Sequence, residues 1–158
     1  RKKVVVNNIC ISWYNITEQK WSCKIEPFVD TVLVALGHTN WDISVVFCDD
    51  PFIHSLNSNF RHIDAPTDIL SFEQADEYYN EQGEKRFNAG DLIISLDSLK
   101  TNADSFTVPE NEELKRLIIH GILHLSGMDH SDNSPEQQML QLQERILGTY
   151  TDTVIYWK

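Results

Sequence analysis

With 158 residues and 41% hydrophobic content, the chain has the size and composition of one globular domain, spanning 1–158, that buries a core without staples. Its 13 Lys+Arg against 24 Asp+Glu leave a net charge of −11, which excludes a generally basic surface, so any polyanion must be met by a local patch or a partner. No run approaches the roughly 18 apolar residues of a membrane span, and the segment after Arg1-Lys2-Lys3 is too short for a signal-peptide core.

The elements follow in chain order. Residues 4–12 are β-rich and predict a first strand. Residues 17–36 predict a first helix: Ile25, Val29 and Leu33, with Phe28, Val32 and Leu36, recur at helical spacing, and Gly37 ends the run. Residues 41–48 alternate as a strand with Ile43, Val45 and Phe47 on one face. Asp50-Pro51 predicts a short helix, Asp50 as N-cap and Pro51 in the first helical position, carrying Phe52, Ile53, Leu56 and Phe60. A brief strand at 68–72, an acidic loop or hairpin over 73–89 and a strand at 90–95 come next. Thr107-x-x-Glu110 resembles a capping box, with Pro109 in the first turn, opening a helix that reaches Ser126 and stops at Gly127. The second half of that helix (Leu117, Ile118, Ile119, Ile122, Leu123, Leu125) is apolar nearly all round, so it is central and buried. Ser134-Pro135-Glu136-Gln137 predicts the capped start of a last helix running to about Leu147, and 153–157 reads as a strand or a docked extension. The class is α+β: a single mixed sheet of about four strands packed with helices, the central buried helix carrying two metal-ligand histidines.

Those histidines belong to the run His120-Gly121-Ile122-Leu123-His124-Leu125-Ser126-Gly127-Met128-Asp129-His130. Four-residue spacing stacks His120 and His124 on one helix face, where both reach one ion. Gly127 takes the backbone through a sharp reversal, and the turn returns His130 to the same ion. Three imidazoles without a fourth protein ligand leave a position open to water or substrate, the mark of catalytic zinc centres. Metzincin metallopeptidases share this spacing, but their general-base Glu follows the first His; here that place holds Gly121, which demotes peptide hydrolysis. Asp129 is the nearest carboxylate in sequence and reads as a residue that orients a ligand histidine, handles a proton, or solvates the helix end. Upstream, Arg61 lies where a helix turns toward a buried strand; it reads equally as a functional cation and as a partner of Asp64 or Asp68. Lys100, Lys115 and Arg116 are candidate phosphate-backbone contacts or inert helix-face charges. Cys10, Cys23 and Cys48 are odd in number and unpaired in spacing, and predict buried thiols of a reducing, cytoplasmic compartment.

Three motifs stand in one order: L-N-x-x-F-R-x-x-D-x-P-T-D-x-L-S-F from Leu56, G-D-L-I-I-S from Gly90, and H-G-x-L-H-L-x-G-x-D-H from His120. Together they resemble the YbeY family of bacterial endoribonucleases and rRNA maturation factors, over most of the chain. The resemblance implies one zinc ion per chain held by His120, His124 and His130, a functional Arg61, and a cytoplasmic enzyme. It further implies cleavage of single-stranded RNA during maturation of the small-subunit rRNA three-prime end and in ribosome quality control, with the ribosome or its proteins as partners. Met128 departs from the family's frequent aromatic, and the acidic stretch from Asp76 to Glu84 adds negative charge that opposes RNA if it overhangs the cleft. The other readings are a ribosome-assembly factor with a mainly structural zinc and a zinc hydrolase of metzincin-like motif. Whether water or the ribose 2′-hydroxyl attacks is left open by the residues alone.

Overall fold

A computed structural model of the chain describes residues 7–134 and 137–158. Its centre is one four-stranded sheet, ordered β1 (Asn8–Trp13), β2 (Trp41–Cys48), β4 (Lys85–Ser95), β3 (Ile69–Tyr79). β1 pairs parallel to β2 and β2 parallel to β4, whereas β3 runs antiparallel to β4. Parallel neighbours need a crossover. A 3₁₀ turn (Lys20–Lys24) and α1 (Ile25–Ala35) supply it between β1 and β2, and α2 (Asp50–Arg61) leads from β2 toward β3. After β4 come α3 (Leu96–Phe106), α4 (Glu110–Leu125) and α5 (Gln138–Thr149). The mixed sheet and its packed helices are the α+β class expected.

Strand alternation divides the core in two. Ile43, Val45 and Phe47 of β2 face the larger core with α1 and α4, while Val46 and Cys48 face a smaller cluster with Ile53 of α2, Leu70 and Ile93. α4 is buried along most of its length: Leu114, Ile118, Ile119, Ile122 and Leu123 are all 0% exposed. Each such side chain contributes about 1.5–3 kcal/mol of burial, which anchors the helix that carries His120 and His124. A Cβ at Gly121 would lie 2.6 Å from Leu92 Cδ2 and 3.0 Å from Ile69 Cδ1, so glycine is what lets α4 lie this close to β3 and β4.

Several boundaries differ from the sequence reading. Val4 to Val6 of the first strand, and Pro135 and Glu136 of the last helix start, lie outside the described residues. The first helix begins with a 3₁₀ turn at Lys20, not at Thr17. The cap of α2 is Asp49, whose side chain accepts from Phe52 N at 3.1 Å, so Asp50 and Pro51 already occupy the first turn. The stretch 73–89 is a hairpin: it extends β3 and β4 to eleven residues each, with a register shift between Glu73 and Asp76. α3 has no counterpart in the sequence reading, because only Leu99 and Ala103 of its eleven residues are buried. The capping box at Thr107 is corrected: Thr107 ends α3 at φ 56°, and Pro109 caps α4 with no side-chain bond. Glu110, Glu112 and Glu113 complement the α4 dipole instead. α5 starts at Gln138 and runs to Thr149. The tail is a docked extension: Asn111 Oδ1 accepts from Ile155 N at 2.8 Å, and Ile155 is buried. The cysteines are free, but Cys10 and Cys23 are exposed; only Cys48 is buried.

Candidate metal centre

α4 ends with Ser126 as its cap and Gly127 at φ 94°, a left-handed conformation that reverses the chain. Met128 N donates to Leu123 O at 3.0 Å and closes the reversal. His130 is thereby returned to the helix face that carries His120 and His124. One ligand atom from each of the three histidines lies within 4.8 Å of the others, a group that could hold a metal ion.

The hydrogen bonds behind the rings define which nitrogen faces inward. His124 Nδ1 lies 3.1 Å from the Met128 carbonyl oxygen, and His130 Nδ1 lies 2.7 Å from that of Asp132. His120 Nδ1 lies 2.6 Å from Oε1 of Gln143, on α5. These oxygens only accept, so each Nδ1 donates, and each neutral ring presents the Nε2 lone pair. His120 Nε2 and His124 Nε2 face each other at 3.1 Å. Two lone pairs at that separation repel unless a cation lies between them. The edge of a tetrahedral zinc–imidazole centre is roughly 3.3 Å, from Zn–N distances of about 2.0–2.1 Å. The donor set therefore fits the group that the motif implies. Protonation is disfavoured as well: burial holds His120 and His124 below the ordinary histidine value of 6.5, with the neighbouring His130 adding to the effect at both rings.

A cleft of about 580 Å³ opens beside the histidines. Its far wall is the edge strand β3, contributing Ile69, Ser71 and Glu73, together with Arg61. Arg61 is the last residue of α2; its Nη2 donates to Ser71 O at 2.8 Å, and its guanidinium lies 4.8 Å from the centre of the Phe72 ring. Among the described residues no carboxylate pairs with it. Asp64 takes His54 at 2.8 Å, and Asp68 accepts from Asn102 Nδ2 at 2.8 Å and from Ile69 N at 2.8 Å. The turn between α2 and β3 is held by buried Asn57, whose Nδ2 donates to Ala65 O at 2.9 Å and whose carbonyl accepts from Ile63 N at 3.2 Å. Asp129 lines the cleft with its side chain 86% exposed; its Oδ1 accepts from His130 N at 2.8 Å and stands 4.0 Å from His124 Nδ1.

The other candidate cations are committed elsewhere. Buried Lys115 donates to the carbonyls of Tyr150 and Thr151, and Arg116 is bound by Glu112, Glu113 and Glu144. Lys100 is exposed on α3 and lines a different depression, with Trp21 and Trp157. Of the acidic hairpin, only Glu73 lines the cleft among the described residues; Glu77 pairs with Lys85 at 3.3 Å. Sequence reasoning missed Gln143, Asn57 and the carbonyls of Met128 and Asp132. A single glutamine among the apolar residues of a helix's buried face, a single asparagine and backbone oxygens in a loop carry no spacing signal.

A family model described as Endoribonuclease YbeY matches residues 8–151. An Endoribonuclease YbeY of Treponema denticola is 62% identical over 133 residues, 84% of this chain and 86% of that one. The Treponema pallidum (strain Nichols) protein of the same name is 50% identical over 145 residues, 92% and 91% of the two chains. The solution structure of TM1509 from Thermotoga maritima is similar with TM-score 0.56 and 25% identity, covering 91% of this chain and 90% of that one.

Proposed function

The chain belongs to the endoribonuclease YbeY family, and from that premise we propose that it is a single-domain, zinc-dependent endoribonuclease cutting single-stranded RNA in ribosomal precursors. It is a hydrolase of RNA phosphodiester bonds, and its alliance with the ribosome and a cytoplasmic location belong to the same proposal. Among the described residues no helix is long and apolar enough to cross a membrane. The observation that carries the reading is the convergence of three Nε2-presenting imidazoles, two of them lining a cleft together with an arginine that no carboxylate pairs with among the described residues.

His120, His124 and His130 would hold one ion, and an all-imidazole set favours zinc over magnesium by ligand softness. When bound, the ion supplies Lewis acidity, polarising a phosphoryl oxygen or lowering the pKa of a water. Arg61 supplies the second positive charge of the cleft. Ser71 O and the Phe72 ring hold the guanidinium in place, and its planar fork suits the charge that develops on a phosphate in flight. Asp129 is assigned proton handling. The Met128 carbonyl already occupies the place from which a carboxylate would orient His124, while Asp129 stays exposed at the cleft. A metallopeptidase base at position 121 is disfavoured by packing, since even a Cβ there meets Leu92 and Ile69.

The acidic surface is compatible with an RNA substrate because, of the hairpin's described carboxylates, Glu73 alone lines the cleft. The test is incubation of zinc-loaded protein, with His124→Ala beside it, on a defined RNA in single-stranded and duplexed forms. Cleavage of the single strand alone, lost in the variant, is expected, and a 2′,3′-cyclic phosphate product would assign attack to the ribose hydroxyl. Equal cleavage by the metal-free variant would refute the reading, and absent cleavage by zinc-loaded wild type would favour a ribosome-assembly role.

A further inference from the structure

Gln143 is 6% exposed between α4 and α5, on the same helical face as buried Met139, Ile146 and Leu147. Its Oε1 accepts from His120 Nδ1 at 2.6 Å, and its Nε2 donates to Glu144 Oε2 at 3.0 Å. Glu144 also accepts from Arg116 Nε at 2.9 Å and from Arg116 Nη2 at 3.2 Å. Arg116 precedes His120 by one helical turn on α4. A closed path thus leaves α4 at Arg116, crosses α5 through Glu144 and Gln143, and re-enters α4 at His120.

We propose that Arg116, Glu144 and Gln143 form a polarity relay that positions His120, fixing its Nδ1–H tautomer so that Nε2 is presented to the metal. The proposal rests on reading the three histidines as a metal centre. An amide can present either end. Turned over, Gln143 would donate to Nδ1, the ring proton would move to Nε2, and the ligand lone pair would be lost. Ionised Glu144 can only accept, so it pins the amide nitrogen to its own side and leaves the oxygen for His120. Arg116 keeps Glu144 ionised: burial alone would raise that carboxyl, but the hydrogen bonds from Arg116 and Gln143 outweigh it and hold it below the usual carboxylate range. His124 and His130 need no such device, because their Nδ1 partners are backbone carbonyls that cannot turn over. His120 is the ligand whose tautomer depends on side chains. Removing a partner of this kind costs metal affinity by about 10–100-fold.

Nitrogen-15 NMR of the histidine rings in metal-free protein reads the tautomer directly, and chelator competition reads zinc affinity. Wild type is expected to show His120 protonated at Nδ1. Gln143→Leu, of similar volume but without an acceptor, should shift His120 toward Nε2–H and weaken zinc by about 10–100-fold, with the metal-free melting temperature little changed. Glu144→Ala, at a half-exposed site 51% accessible in its side chain, should loosen the tautomer without disturbing the core. Retention of Nδ1–H and of wild-type zinc affinity in Gln143→Leu and Glu144→Ala would overturn the relay. Wild type showing the Nδ1–H tautomer, lost in Gln143→Leu, yet binding no zinc would instead refute the metal centre and leave the relay standing.

Discussion

Replacing Arg61 by alanine separates catalysis from architecture, because the structure limits what the side chain can contribute to stability. It is exposed, makes one hydrogen bond to Ser71 O at 2.8 Å, and lies 4.8 Å over the Phe72 ring. An exposed hydrogen bond of this kind contributes about 0.5–1.5 kcal/mol and an exposed cation–π contact about 0.5–1 kcal/mol. The expected loss is therefore about 1–2 kcal/mol, a fall in Tm of only a few degrees for a domain of this size. Loss of an electrostatic group acting on a developing charge costs about 10²–10³ in rate, or about 2.7–4 kcal/mol. The assay is single-turnover cleavage of a single-stranded RNA, scored per folded molecule by circular dichroism, with zinc content measured in parallel. Rate should collapse while zinc and fold persist. Arg61→Lys should recover little, since an ammonium keeps the charge and loses the two-pronged donor geometry. Wild-type activity per folded molecule in Arg61→Ala would remove Arg61 from the mechanism.

Gly121→Ala gains about 1 kcal/mol of helix propensity but overpacks against Leu92 and Ile69 at a cost of about 1–3 kcal/mol. Thermal melts should therefore show it less stable by about 1 kcal/mol, and a raised Tm would mean that the α4–sheet contact is loose. His124→Ala should abolish stoichiometric zinc in elemental analysis and remove the stabilisation that bound metal lends the fold; full occupancy in the variant would exclude the site. Because burial holds His120 and His124 below the ordinary 6.5, the unfolded chain takes up protons there before the folded one does. Metal-free stability should thus be flat above pH 6.5 and fall below it, with zinc affinity falling in the same window; affinity unchanged from pH 7 to pH 5 would point to other ligands. Burial and the carboxylates of Asp49, Asp50 and Asp97 push the Cys48 thiol up to about 12, so iodoacetamide at mildly alkaline pH should label Cys10 and Cys23 alone; mass spectrometry showing rapid native labelling of Cys48 would contradict its burial.

The histidine triad was legible in the sequence because its geometry is local. Helical periodicity places His120 over His124, and a glycine at Gly127 turns the chain back within three residues of His130. The strand β2, the 90–95 half of β4 and the burial of α4 were legible for the same reason, as alternation and apolar density act within a few residues. α3 was not, since two buried side chains make no periodic signal and its start depends on Asp50, whose carboxylate accepts from the hydroxyls of Ser95 and Ser98 across the fold. The cap of α4 was misread because Thr107 is claimed by the end of α3, a competition between neighbouring helices that a single motif does not display. Arg61 shows the divide most sharply: residues 61–68 admit an ion pair with Asp64 or Asp68 as readily as a free cation. Only the packing of the α2–β3 turn against α2 and α3, which hands Asp64 to His54 and Asp68 to Asn102, leaves the guanidinium to Ser71, Phe72 and the cleft. The orientation of the metal ligands is likewise tertiary. Gln143 meets His120 across 23 residues of chain, and no local rule foretells which carbonyl will stand behind a ring. Sequence thus determined which side chains could bind an ion, since spacing along a helix is a property of the chain alone. Tertiary structure decided which ring nitrogen each offers and which cation faces them, because hydrogen-bond partners are allotted only when distant elements compete for them.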